Sequence, residues 1–90
     1  MFNLGTIVIT SGVDDAIRSD FKFFGDMKTA LSRYSKCDWG DLCEEDKQAN
    51  DEALTCGERL LGKYPTSCGD IYIITEWDRS VTTILFPNEY

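Results

Sequence analysis

The sequence predicts a single α+β domain spanning residues 1–90, with the element order β-α-α-α-β-β. Three observations support this fold class. A β-branched apolar run opens the chain, amphipathic helical patterns fill its middle, and two β-rich runs close it. The simplest packing of these elements places three helices against a three-stranded, largely antiparallel sheet.

The first strand and the first two helices follow from local patterns. Leu4–Thr10 is apolar and β-branched, which is typical of a strand. Ser11 followed by Asp14 resembles a capping box at the start of a short helix. Asp20 can cap the next helix, Phe21–Lys36, whose apolar residues recur at helical spacing. The apolar positions of this helix are Phe23, Met27, Ala30 and Tyr34.

A third helix is predicted at about Leu42–Leu61. Asp41 and Glu44 repeat the capping arrangement at its start. Gly57 inside this helix costs about 1 kcal/mol relative to Ala, so we expect it to mark the close approach of another element. Gly62 is the expected C-terminal stop.

The end of the chain predicts a hairpin. We expect Tyr64–Gly69 to form a loop, followed by strands at Asp70–Trp77 and Ser80–Phe86. The very short polar turn between them, Asp78-Arg79, makes the two strands antiparallel neighbours. The pattern does not decide which of them pairs with the first strand.

Composition excludes several classes of function. Sixteen Asp and Glu against nine Lys and Arg give a formal net charge of −7, which argues against direct nucleic-acid binding and against attraction to an anionic membrane. The charge suits a protein steered toward a basic partner.

The chain has no His and no Gly-rich phosphate loop, so we expect no catalytic residues and no enzymatic activity. The N-terminus has no signal-peptide pattern and no apolar run reaches about 18 residues, which favours a cytoplasmic protein.

The four cysteines are expected to be reduced, partly buried structural thiols. Their spacing contains no Cys-x-x-Cys pair, and a disulfide framework would need a secretory context. Asp38, Asp41 and Glu44 have some oxygen-ligand character but lack the alternating ligands and the glycine of an EF-hand loop. We therefore expect no metal and no cofactor.

The main candidate site is a concentration of negative charge between residues 38 and 52. Seven carboxylates lie there, opposed only by Lys47. Part of this charge is explained by the helix macrodipole, and the whole is compatible with a solvated helix face. The alternative is a docking surface that offers carboxylates in place of phosphates to basic side chains. The candidate partner-binding residues are Asp38, Trp39, Asp41, Glu44, Glu45, Asp51 and Glu52.

Two further features leave alternatives open. Trp39 either packs against the core at the helix entry or is an exposed aromatic anchor for a partner. The hairpin tip, Glu76-Trp77-Asp78-Arg79-Ser80, is either an ordinary turn with an ion pair between Glu76 and Arg79 or a secondary polar site formed by Glu76, Asp78, Arg79 and Ser80.

A set of motifs extends over most of the chain after residue 37. It consists of Asp38-Trp39-Gly40-Asp41-Leu42, Glu45-Asp46-Lys47, Asn50, Arg59-Leu60-Leu61, Tyr64, Ile73-Ile74-Thr75-Glu76, Asp78-Arg79-Ser80, Thr82-Thr83-Ile84-Leu85, Pro87, Glu89 and Tyr90. On these motifs the chain resembles a family of short proteins carried by bacterial plasmids, integrative elements and phages. It departs from the usual pattern of that family at Cys37 and Trp77.

This resemblance implies a role in a mobile genetic element. Small acidic proteins of such elements are often anti-CRISPR or antirestriction inhibitors, which implies a protein partner with a basic surface in a bacterial defence complex. The alternatives are an accessory or regulatory protein-interaction module and a small-molecule-binding module at the hairpin tip. The sequence does not decide between a monomer and a homodimer.

Overall fold

The protein is an α+β domain in which three helices lie against a four-stranded mixed sheet. The structure is a computed structural model, and it describes residues 2–90. None of the helices in this part of the chain is long and apolar enough to cross a membrane. The elements in chain order are β1 (Thr6–Ile9), α1 (Ser11–Ser19), α2 (Phe21–Ser35), α3 (Glu44–Cys56), β2 (Leu60–Thr66), β3 (Gly69–Thr75), β4 (Val81–Leu85) and a 3₁₀ turn (Pro87–Glu89).

The strand order in the sheet is β1-β4-β3-β2. β2, β3 and β4 form an antiparallel meander, which confirms the predicted hairpin between the last two strands. β1 joins the sheet parallel to β4. The expectation of three strands in a largely antiparallel sheet is therefore wrong, because β2 was missed and because the long helical connection lets β1 enter the sheet in a parallel orientation.

β2 occupies a segment predicted as the end of a helix and a loop. The third helix ends at Cys56 because Gly57 adopts a left-handed conformation (φ 72°) and its N–H bonds to the carbonyl of Ala53. No atom lies near a Cβ placed on Gly57, so the prediction of close approach at this glycine is wrong. Close approach occurs at Gly62 instead, in the middle of β2, where a Cβ would meet the rings of Tyr64 and Tyr34.

The helix predictions hold best for α2. Asp20 caps it by accepting a hydrogen bond from the Lys22 N–H, as expected. The four apolar positions predicted for this helix are all buried in one hydrophobic core with the inner face of the sheet. The cap of α1 differs from the prediction, since Thr10 rather than Ser11 accepts the bond from the Val13 N–H.

A chain of buried hydroxyl groups crosses the core. The Tyr34 hydroxyl donates to Thr75 Oγ1 (2.8 Å), and Thr75 Oγ1 lies 2.8 Å from Thr82 Oγ1. The Thr82 hydroxyl in turn donates to the Leu4 carbonyl (2.6 Å). Each of these three buried hydroxyl groups therefore has a hydrogen-bond partner. The bonds also fix the position of α2 relative to β3, β4 and the N-terminal segment.

The backbone groups at the outer edge of β2 form hydrogen bonds with two other parts of the chain. Asn50 of α3 forms a pair of hydrogen bonds with the backbone of Leu61, accepting from its N–H (3.2 Å) and donating to its carbonyl (2.6 Å). Next to it, the segment around Gly40 runs along the strand. The Lys63 N–H donates to the Trp39 carbonyl (3.2 Å), and the Asp41 N–H donates to the Lys63 carbonyl (2.8 Å). The edge is thus satisfied without a fifth strand.

Replacing Asn50 with Ala should destabilise the protein by about 1–3 kcal/mol, because the edge groups of Leu61 lose both partners in a half-buried place. Urea denaturation measures the change. The matched control is Gln48→Ala on the exposed side of the same helix, which should change the free energy of unfolding by less than about 0.5 kcal/mol. Equal stability of the two variants would contradict the assigned role of Asn50.

Candidate functional site

α3 presents its inner side to the sheet and its carboxylates to solvent. Asn50 and Ala53 are the buried residues of this helix. Glu44, Glu45 and Asp46 lie in the first turn, where the helix macrodipole favours negative charge. The predicted cap by Asp41 is wrong: α3 begins after Cys43, which makes no side-chain capping bond.

Two of the seven candidate carboxylates are used inside the protein. Asp38 accepts hydrogen bonds from Arg33 Nε (2.8 Å) and Nη2 (3.3 Å), and also from the Gly40 N–H (3.1 Å). Asp51 accepts a hydrogen bond from the indole Nε1 of Trp39 (3.0 Å). Both side chains therefore hold the segment that closes the β2 edge, although both remain exposed to solvent.

Trp39 is a core residue. Only 3% of its surface is exposed, and its ring lies edge-to-face with Tyr34 (centroids 5.6 Å apart) and next to Phe2 (6.1 Å). The interpretation of Trp39 as a residue packed at the helix entry is confirmed, and the alternative of an exposed aromatic anchor is wrong. The indole N–H needs an acceptor once buried, which Asp51 supplies.

The remaining five carboxylates are exposed, and we call them together the acidic face; Asp41 precedes α3, and Asp46 lies one turn before the buried Asn50 on the same side of the helix. It consists of Asp41, Glu44, Glu45, Asp46 and Glu52, all exposed.

Lys47 reaches this face, with its Nζ 3.9 Å from Glu44 Oε1, while the Glu44 side chain stays 91% exposed. Arg33 also interacts with it, since the pKa of Arg33 is raised mainly by Asp38 and in addition by the charge of Asp41. A pair as long and as exposed as that of Lys47 and Glu44 contributes little stability, so the face keeps a large excess of negative charge.

The hairpin tip is occupied by interactions within the chain. Arg79 donates to the backbone carbonyls of Ala53 (3.1 Å), in the last turn of α3, and of Glu58 (2.6 Å), just after the helix. Asp78 accepts from the N–H and the hydroxyl of Ser80, and the hydroxyl bond lowers the pKa of the Asp78 carboxyl. The expected ion pair between Glu76 and Arg79 does not form among the described residues; the Arg79 guanidinium contacts the Glu76 carbonyl oxygen instead.

The guanidinium of Arg79 therefore satisfies carbonyls at the C-terminus of α3, a favourable place for a cation. This contact fixes the helix against the β3–β4 turn. Sequence reasoning missed it because Arg79 and Ala53 are far apart in the chain, and no local pattern links them. The turn prediction for this segment is confirmed, although it spans five residues rather than two.

All four cysteines are free thiols, and three of them are exposed rather than partly buried. Cys37 is the half-buried one. In residues 2–90 the structure brings no three metal-ligating side chains together.

Comparison of the chain with protein-family models, with curated proteins and with solved structures found no match. The resemblance to short proteins of mobile elements therefore stays a prediction from the sequence.

The ion pair of Arg33 and Asp38 makes a testable contribution to acid stability. The hydrogen bonds from Arg33 hold the pKa of Asp38 below its ordinary value of 3.8. A depressed pKa means that the stabilisation is complete at neutral pH and is lost as the pH falls below that ordinary value toward the lower pKa of the folded state.

Asp38→Asn should therefore lower stability at neutral pH by up to about 1 kcal/mol, given the exposure of the pair, and should flatten the loss of stability on acidification. Thermal unfolding as a function of pH measures both effects. In an Arg33→Met background the same substitution should have little further effect. An unchanged acid profile in Asp38→Asn would contradict this role of the pair.

Proposed function

We propose that this protein is a non-enzymatic inhibitor that binds a basic, nucleic-acid-recognising surface of a bacterial defence complex through the acidic face of α3. The observation that carries the proposal is that some carboxylates of this segment form hydrogen bonds within the protein while others are exposed to solvent. Asp38 and Asp51 support the fold, whereas the five carboxylates of the acidic face are exposed to solvent and outnumber the nearby basic groups Lys47 and Arg33.

The acidic face suits the recognition of Lys and Arg side chains. Glu45 and Glu52 lie seven residues apart on the helix, so the face extends about 10 Å along the axis. The carboxylate oxygens of Glu45 and Glu52 on this side of the helix accept the same charge-assisted hydrogen bonds that phosphate oxygens accept. The net charge of −7 adds long-range steering toward a basic partner, and such steering weakens with salt.

The rigidity of the face also favours binding. α3 is fixed to the sheet by Asn50 and to the β3–β4 turn by Arg79, so the carboxylates are held on a framework that does not need to order on binding. A preorganised surface loses less conformational entropy in a complex. The resemblance to proteins of mobile elements points to a defence complex as the target.

The other two functions have less support. The accessory-module hypothesis relied on apolar docking through Trp39 or through the hairpin edge. Trp39 is buried, and the two hairpin strands are each paired on their outer side, β4 with β1 and β3 with β2.

The small-molecule hypothesis relied on Glu76, Arg79 and the threonines of the hairpin strands. The Arg79 guanidinium is engaged by the carbonyls of Ala53, Glu58 and Glu76, and Thr75 and Thr82 are buried. None of these observations affects the acidic face.

Reversing two charges of the acidic face tests the proposal. Glu45→Lys combined with Glu52→Lys changes the net charge by +4 without touching Asp38 or Asp51, so the fold should be retained. In bacteria that carry a defined CRISPR or restriction system, expression of the wild-type protein should raise the establishment of a targeted plasmid. The double variant should lose most of this effect.

The matched control is Asp15→Lys combined with Glu58→Lys, which makes the same change in net charge at exposed positions outside the acidic face. This control should protect the plasmid as the wild type does. Equal protection by the acidic-face variant and the control would contradict a role of the face, and an absence of protection by the wild type against every CRISPR and restriction system tried would overturn the inhibitor proposal.

A further inference from the structure

β1 leaves half of its backbone hydrogen-bonding groups directed away from the sheet. Its pairing with β4 is parallel, and the flanking bonds run from the Thr6 N–H to the Ser80 carbonyl (3.0 Å) and from the Thr10 N–H to the Ile84 carbonyl (3.2 Å). Because alternate residues of a strand direct their backbone groups to opposite sides, the N–H and C=O groups of Ile7 and Ile9 point outward. In the described part of the chain no strand lies beyond β1.

The side chains of this strand are apolar and exposed. In the strand register Ile7 lies in the row of Thr82, Thr75 and Leu60, on the face that the helices cover. The helices make their main contacts with the sheet at β2 and β4. Ile7 and Ile9 are consequently 44% and 39% exposed, and Val8 is exposed on the opposite face.

The two edges of the sheet differ in whether their backbone groups are covered by other parts of the chain. The β2 edge is closed by the side chain of Asn50 and by the segment around Gly40. The β1 strand is short, at four residues, but it contains no charged side chain, proline or bulge, which are other features with which soluble proteins protect an open edge. The first thirteen residues contain no Asp, Glu, Lys or Arg, although such residues make up 28% of the chain.

We propose that the β1 edge is the interface of a homodimer, in which the β1 strands of two copies pair antiparallel about a twofold axis at Val8. In this register Ile7 of one copy faces Ile9 of the other. Both residues direct their backbone groups outward, so the two Ile7–Ile9 pairs exchange four hydrogen bonds. The two four-stranded sheets become one continuous sheet of eight strands.

Two features favour a second copy over a strand from another protein. The edge is self-complementary, as a twofold interface requires, because its outward-facing residues are placed symmetrically about Val8 and are the same amino acid. The charge is also distributed so that two copies can approach. The acidic face belongs to α3 beside β2, at the opposite edge of the sheet, and the pairing therefore puts the two acidic faces at the far ends of the dimer. The inference does not depend on the proposed function.

Val8→Lys tests the interface, because it puts two like charges directly opposite each other at the twofold axis. Sedimentation equilibrium of the wild type should show a monomer–dimer equilibrium. The dissociation constant should rise at least about tenfold in Val8→Lys. Mixing Val8→Lys with Val8→Asp should restore the dimer. The matched control, Phe21→Lys, changes an apolar residue that is 99% exposed on α2 and should leave the dissociation constant unchanged.

Amide hydrogen exchange of the wild type tests the register without a substitution. The Ile7 and Ile9 amides should exchange slowly at concentrations where the dimer forms and rapidly on dilution, whereas the Val8 amide, which faces β4, should be protected at both. A wild-type protein that stays monomeric up to about 1 mM, or a dimer in which the Ile7 and Ile9 amides exchange rapidly, would overturn the proposal.

Discussion

The closure of the β2 edge by Asn50 is the constraint on which the arrangement of this protein depends. An amide side chain can act as donor and acceptor at once, so Asn50 pairs with Leu61 as a neighbouring strand would. This pairing fixes which side of α3 faces the sheet. It also aligns α3 with the Gly40 segment, which covers the next stretch of the strand through Lys63.

The orientation of α3 separates the acidic residues into two groups. Asp51 lies on the flank of the helix, where the buried indole of Trp39 needs an acceptor, and Asp38 is held by Arg33. The residues on the outer side, including Glu45 and Glu52, have no structural task of this kind. A function carried by exposed charge on a rigid helix is consistent with this separation, and such a function would be exerted through a surface rather than a cavity.

Much of the candidate site could be predicted from the sequence, because the density of carboxylates in one segment is a local property. The partners of these carboxylates could not be predicted. Asp38 and Asp51 look like their neighbours in the sequence, and only the positions of Arg33 and Trp39 in the fold distinguish them. The role of Arg79 could not be predicted either, because its carbonyl partner Ala53 lies on α3, far from Arg79 in the sequence.

For the fold, the sequence by itself determined the elements whose signals are local: the amphipathic helix α2 with its Asp20 cap, and the antiparallel pairing of β3 with β4 across a short turn. Tertiary structure decided the rest. β2 begins three residues after Gly57, and its residues Leu60 and Leu61 also fit the helical spacing of the preceding segment, so only pairing with β3 and with Asn50 makes this stretch a strand. The parallel pairing of β1 with β4 could not be predicted from local sequence patterns either, because it is formed by hydrogen bonds between residues more than seventy positions apart.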